Sequence, residues 1–473
     1  MLFNSFQFAY FFAALFPIYW LLRKHHRVQN LLLLSAGYYF YACWNPKFLT
    51  LLVASTVMDY FCGIAVDKIE APSKRKAFVA LSMVLNLGML GWFKYYNFFA
   101  ASLQAALDRA GLHVPLWQLE VALPIGISFY TFQSMSYVID VYRKDIEPTR
   151  DFIQFATFVS FFPHLVAGPI MRPTTLLPQV SNPRRFDLQQ FYQGSYLIFW
   201  GLTKKVVVAD NLSPIVDELF GKWQTIDGGL ALLAVYAFAF QIYCDFSGYT
   251  DAARGIAKCL GFELALNFNL PYFSANPKEF WARWHISLST WLRDYLYIPL
   301  GGNRGGTGKL YRNLMLTMII GGLWHGAAWT FVLWGFYQGI LLVGHRVFEP
   351  WLNKIRPTDA IDRACWKAVR IIATFHMVCF GWLIFRAGSV EQVVGMTKAI
   401  FLRPAIPASA YLLPVTLVIL PLLLVQIVQY LSKDLDVVLK TPWYVRSVFY
   451  TVCFYAFILA GNFGGSQFIY FQF

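Results

Sequence analysis

The sequence predicts an all-α polytopic membrane protein, with apolar length for about ten or eleven spanning helices of roughly twenty residues each. Three observations carry that prediction. The composition is 58% hydrophobic and only 14% charged, whereas a soluble domain is charged at about a quarter of its positions. The apolar residues fall into runs much longer than the roughly ten-residue alternating strands of an outer-membrane barrel. The lysines and arginines gather in short clusters between those runs, the pattern of cytoplasmic loops. A backbone in hydrocarbon must satisfy its own hydrogen bonds, so the runs are expected to be helices.

The first run, residues 3–22, has no basic residue before Arg23 and ends in the cluster from Arg23 to Arg27. A cleavable signal peptide places its positive charge first. The run is therefore expected to remain as a span, with the N-terminus outside and the first loop inside. Runs at 28–43 and 48–66 flank a turn at Trp44, Asn45 and Pro46, and residues 68–76 form a second basic loop. Two spans separate the basic loops, which puts both on one side. A span over 77–107 leads into a segment at 108–120 that is poor in lysine and arginine, as an outside loop should be. The next, 122–141, ends at Arg143 and Lys144.

Residues 155–173 are apolar but carry Pro163, Pro169 and His164. Prolines there do not suit one clean helix, so the segment reads as broken or re-entrant, or else as a kinked helix. Residues 174–190 read as cytoplasmic and 191–209 as a span. Residues 210–228, with Pro214, Asp217 and Glu218, read as an outside loop. A span at 229–244 runs into Asp245, Ser247 and Asp251, expected to cap a helix end or to face an aqueous cavity.

The stretch 263–313 is the least membrane-like. Trp281, Trp284, Leu288, Trp291, Leu292 and Tyr295 follow helical spacing and predict an amphipathic helix at the cytoplasmic surface. The loop Gly301–Gly306 is flexible and cationic, but it is not a nucleotide-binding fingerprint. Later spans are expected at 367–386, 411–431 and 444–461, with His376 packing helices together. Residues 463–473 form an aromatic tail containing Tyr470. No fixed-period repeat or long linker divides the chain, so 1–473 reads as a single integral membrane domain.

The net charge of +14 would suit nucleic acid, but its distribution between apolar runs argues against such a partner. The seven cysteines are scattered and show neither metal nor disulfide spacing, and no metal is expected.

The most informative stretch is 313–346. From Leu314 to Gly344 it contains no Asp, Glu, Lys or Arg. One helix of that length would reach roughly 45 Å, past a hydrocarbon core of about 30 Å. Gly321, Gly322 and Gly326 therefore predict a break or a strong tilt. Among these residues sits one histidine, His325. An imidazole at membrane depth needs partners and can exchange a proton near neutral pH. Two readings stand: a catalytic base, or a buried histidine that ties helices together.

The blocks LPIGISFYTFQSMSYVIDVYR (123–143), FFPHLVAGPIMR (161–172), YCDFSGYTD (243–251), EFWARWHISLSTWLRDYLYIPLGGNRGG (279–306), LWHGAAWTFVLWG (323–335) and FGWLIFRA (380–387) follow one another across most of the chain. As an ordered set they resemble the membrane-bound O-acyltransferase (MBOAT) family, most closely its bacterial branch that O-acetylates exported polysaccharides of the alginate and peptidoglycan type. The resemblance implies a helical core around a tunnel, with re-entrant and amphipathic segments. It matches the family's buried catalytic histidine to His325 and its second motif histidine to His285. It implies acetyl-CoA as the acyl-donor substrate, entering from the cytoplasm, and no tightly bound cofactor. It further implies a bacterial inner-membrane location and a separate extracytoplasmic SGNH-type acetyltransferase/esterase that places the acetyl group on the polymer. The ending FIYFQF is similar to an aromatic motif of some relatives whose tyrosine carries the acyl group, which points to Tyr470.

Acyl transfer from a thioester to a hydroxyl needs a base, donors for the oxyanion, and contact between the reactants. His325 is the expected base and His285 a second donor or an orienting group. Arg283, Arg293, Arg304 and Lys309 are candidates for the donor's phosphates, or ordinary charges of an inside face. The expected order runs from acetyl-CoA to Tyr470 and then to the partner's nucleophile. Two alternatives compete: a lipid or protein O-acyltransferase using longer acyl chains, and a transporter without covalent chemistry. The transporter would need inverted repeats and paired broken helices, which the sequence does not display.

Overall fold

The computed structural model describes residues 1–120, 122–165, 168–463, 468 and 469. Among them there is helix and no strand, and seven helices are long and apolar enough to cross a membrane. The other apolar runs fold as shorter or broken helices; the first, Phe6–Leu21, has 16 residues. By contacts the chain divides into two compact units, residues 1–198 with 252–265, and residues 199–251 with 266–473.

The first unit opens with α1 (Phe6–Leu21), α2 (His26–Ala42) and α3 (Pro46–Lys68). Asn45 caps α3 by accepting the Lys47 amide, and Pro46 supplies a first-turn φ at a position that needs no donor. α4 (Pro72–Leu90) passes through a π-helical turn, Gly91–Tyr95, into α5 (Tyr96–Arg109), and α6 (Ile127–Arg143) follows. A buried carboxylate ties three of these helices. Asp59 of α3 accepts from Ser82 at 2.6 Å and Asn86 at 2.9 Å on α4, and from Ser134 at 2.6 Å on α6. A carboxylate away from water needs such donors.

The proline-bearing segment is broken, as its sequence suggests. α7 (Phe152–Ser160) stops where Phe161 turns extended, and α8 (Phe162–Leu165) is one short turn. All of 155–165 is buried, which is where irregular backbone is tolerated in a membrane protein. His164 lies 2.7 Å from Gln133 of α6, a helix-packing contact. α9 (Pro173–Ser181) and the start of α10 (Leu188–Thr203) complete this part of the chain.

The second unit holds the most polar core. α10 widens into a π-helical turn, Lys204–Ala209, and continues as α11 (Asp210–Gly221). The outside loop expected at 210–228 is thus a helix over most of its length, with Pro214 inside it. Its first residue, Asp210, is buried and pairs with Lys205 at 2.7 Å. α12 (Gly228–Cys259) is a continuous helix of 32 residues. Asp245, Ser247 and Asp251 therefore lie within it and cap nothing. They are tolerated there because Lys205 meets Asp245 at 2.6 Å, while Lys204 meets Asp251 at 2.6 Å and Ser247 at 3.0 Å.

The amphipathic helix expected over 281–295 is also corrected. It is two short helices, α13 (Pro277–Arg283) and α14 (Ile286–Leu292), followed by a π-helical turn, Arg293–Tyr297. The break is at His285, whose backbone is left-handed (φ 41°, ψ 54°). Trp284, Leu288, Trp291 and Leu292 are buried, so the stripe is core, not a surface face.

α15 (Thr307–His325) and α16 (Trp329–Lys354) form a tight hairpin, and the chain breaks at Gly326, as the glycines suggest. Gly322 and Gly335 let the two backbones meet. A Cβ on Gly335 would fall on the Met318 carbonyl and lie 2.9 Å from the Ile319 Cα. α17 (Ala360–Arg386), α18 (Val390–Leu402), α19 (Ser409–Ser432), α20 (Val437–Lys440) and α21 (Trp443–Ala460) follow. His376 of α17 receives the Tyr236 hydroxyl of α12 at 2.8 Å and lies 2.8 Å from the Ile372 carbonyl, joining two helices as expected.

Candidate active site

His325 is the last residue of α15, where the helix must end because Gly326 adopts an extended conformation. The break turns the imidazole into the unit's interior. It is 4% exposed and enclosed by rings, with centroids at 5.1 Å to Trp324, 5.1 Å to Trp334 and 5.4 Å to Phe385. It is not sealed off. His325 lines a cavity of about 470 Å³ whose other walls include Trp281 of α13, Ser289 of α14, Arg293, Thr317 and Lys278. That volume falls within the range of small-molecule sites, which are mostly apolar with a few placed polar groups.

His285 is fully buried. Its place is fixed by backbone: the Ile286 and Ser287 amides, exposed at the start of α14, are both accepted by Asn267 at 3.0 Å, one by its carbonyl and one by its side chain. The ring stands edge-on to Phe246 at 4.6 Å and lies 6.0 Å from Trp324. Trp324 thus has a ring contact with each of the two histidines. His285 is not among the described residues that line the cavity, whereas Ile286, Leu288 and Ser289 just after it are.

The cationic candidates part company. Arg293 lines the His325 cavity, with its guanidinium 2.7 Å from Asp294. Arg283 pairs with Glu279 at 2.8 Å and lines a second, polar cavity of about 380 Å³ together with Lys367 and Lys433. Arg304 and Lys309 are exposed and line neither cavity. Tyr470 lies outside the described residues. The two residues before it are described, and Phe468 and Ile469 are buried.

Two groups were missed by sequence reasoning. Lys278 lines the cavity beside Trp281 and has no carboxylate partner among the described residues. Trp281 has a buried indole N–H with no acceptor among the described residues. The helix-start signal Asn276-Pro277-x-Glu279 places both: Asn276 accepts the Glu279 amide at 2.8 Å and Glu279 accepts the Ala275 amide at 2.9 Å. Chemically, the cavity joins a proton acceptor, an orphaned donor and two cations.

Residues 143–387 match the MBOAT, membrane-bound O-acyltransferase family. The chain is 44% identical over 403 residues to the probable alginate O-acetylase AlgI of Azotobacter vinelandii, covering 85% of this chain and 78% of that protein. It is 34% identical over 433 residues to the peptidoglycan O-acetyltransferase of Helicobacter pylori, covering 84% and 79%. It is 30% identical over 277 residues to the teichoic acid D-alanyltransferase of Bacillus subtilis, covering 55% and 68%.

Proposed function

The chain belongs to the membrane-bound O-acyltransferase family, and from that premise we propose that it takes acetyl from cytoplasmic acetyl-CoA and passes it across the inner membrane for O-acetylation of an exported polysaccharide. The chain is an acyltransferase and a multi-pass membrane protein. Relatives that act on alginate and on peptidoglycan support a polymer acceptor. The observation that carries the reading is that His325, a buried imidazole, opens onto a cavity large enough for a ligand.

In the proposed step the His325 imidazole takes the proton of an acceptor hydroxyl. The oxygen attacks the thioester carbonyl, the C–S bond breaks, and the proton returns to the CoA thiolate. The Trp281 N–H supports the oxyanion. A buried donor without an acceptor costs about 1–3 kcal/mol, and an oxygen in the cavity would offset that cost. Lys278 and Arg293 suit the donor's phosphates. His285 is assigned as a second donor or orienting group, in ring contact with Trp324. Arg283, Arg304 and Lys309 take no part in the His325 cavity, although Arg283 remains suited to an anion in its own cavity. Tyr470 is the acceptor hydroxyl we assign, its ester passing to the nucleophile of an extracytoplasmic SGNH-type partner.

The test is mass spectrometry of the C-terminal peptide after exposure to labelled acetyl-CoA. The expected result is one acetyl group on Tyr470, lost in the His325→Ala variant, whose thioester turnover falls by about 10²–10⁴-fold. A peptide that stays unlabelled while the polymer is acetylated removes Tyr470 from the scheme. Faster thioester loss with palmitoyl-CoA than with acetyl-CoA would assign the cavity to longer chains instead.

A further inference from the structure

The tail before Tyr470 is held by charges that the transfer chemistry does not use. Asp245, in the middle of α12, is 3% exposed. One of its oxygens meets the Lys205 ammonium at 2.6 Å, and the other accepts the Ile469 backbone N–H at 2.7 Å. Lys205 is shared with Asp210 at 2.7 Å. One ammonium between two carboxyl groups leaves acceptor oxygens to be satisfied, and buried acceptors are costly when they are not. The tail amide satisfies one of them, through a charge-assisted bond.

The neighbouring contacts repeat the pattern. Phe468 is fully buried, 4.8 Å from the Tyr249 ring and 5.7 Å from the Phe246 ring. Phe246 is the ring that stands against His285. Where the chain leaves α21, Asn462 donates its amide to the Val206 carbonyl and its side chain to the Asp210 carbonyl, both at 3.2 Å. Asn211 donates to the Ala460 carbonyl at 2.7 Å. The π-helical turn Lys204–Ala209 thus serves both ends of the connection. Such wide turns recur at functional sites.

We propose that Asp245, Lys205 and Asp210 form an internal docking clamp for the chain's own C-terminal segment. The clamp holds the Ile469 backbone, seats Phe468 between Tyr249 and Phe246, and so sets the register of the tail against the wall that carries His285. Asp245 and Lys205 are positioning residues. The purpose of the clamp rests on the proposal that the tail carries the acyl group, whereas the docking itself does not.

The test is hydrogen exchange of the C-terminal peptide in the full-length protein in detergent. The parent is expected to protect the Ile469 amide, and Asp245→Ala to raise its exchange rate at least tenfold while α12 keeps its parent rates. Phe468→Ala, which leaves every buried charge in place, is expected to do the same and decides the matter if Asp245→Ala fails to fold. Equal, rapid exchange of the tail in parent and variants overturns the clamp. In parallel, both variants are expected to keep the KM for acetyl-CoA and lose kcat for transfer to polymer. Tail release with polymer acetylation unchanged would leave the clamp standing and remove the tail from the transfer.

Discussion

At the scale of single residues, what the sequence discloses depends on contrast. His325 is legible because it is the one histidine in a stretch from Leu314 to Gly344 without Asp, Glu, Lys or Arg. Lys278 has no such contrast: it reads as one more surface cation until the fold places it on the cavity wall. Trp281 belongs to a stripe whose spacing predicts an amphipathic surface helix, and its orphaned N–H becomes evident only when neighbours are known. The left-handed backbone of His285 has no signature in a residue type that is merely tolerant of it. The Trp281 assignment makes a sharp prediction. Trp281→Phe keeps an aromatic ring beside Trp334, whose centroid is 5.8 Å from that of Trp281 in an edge-on contact, and removes the donor with the rest of the five-membered ring. Thioester turnover is expected to fall by about 10²–10³-fold, the loss typical of one oxyanion donor, with the melting temperature unchanged or raised. Turnover within twofold of the parent, measured by thiol release, would take the indole out of the reaction.

At the scale of elements, the long apolar helices and the break at Gly326 follow from length and glycine placement. Two of the errors share one cause, while the break in 281–295 comes from the left-handed backbone of His285. Residues 210–228 read as a loop, and Asp245 and Asp251 as a cap or the wall of an aqueous cavity, because a sequence does not show which lysine will meet which aspartate. Once Lys204 and Lys205 face Asp251, Asp245 and Asp210, helix is the cheaper state for all five. Removing one partner of such a buried pair leaves a charge uncompensated, at a cost of about 3–5 kcal/mol. The α15–α16 hairpin offers the cleaner test. Gly335 abuts the backbone of Met318 and Ile319, which cannot swing aside as a side chain would. Gly335→Val is therefore expected to destabilise by at least about 1–3 kcal/mol, the usual scale of overpacking. It should also reduce turnover, since His325 ends one arm of the hairpin. A thermal melt in detergent checks the first, and a variant as stable as the parent would mean the two backbones are not in contact.

At the scale of the whole molecule, orientation is what the proposed chemistry most needs, since the proposed donor is a cytoplasmic nucleotide and the proposed polymer is outside. The basic clusters are the only sequence signal for it. Arg23, Lys24 and Arg27 follow α1, and Lys68, Lys74, Arg75 and Lys76 lie at and beyond the end of α3. With α2 and α3 between them, both clusters are expected on one side, and the positive-inside rule predicts that side to be cytoplasmic. The turn between α2 and α3 then faces outward. It carries a native probe, because Cys43 is exposed; Cys365 is the other exposed cysteine, and the remaining five are buried. In a Cys365→Ser background, a membrane-impermeant maleimide added to intact spheroplasts is expected to label Cys43. A cysteine placed at Ser73, in the second basic cluster, is expected to react only after permeabilisation. The reverse pattern would turn the protein over, set the basic loops against the rule that predicts them, and place the donor's side of the reaction where no acetyl-CoA is found.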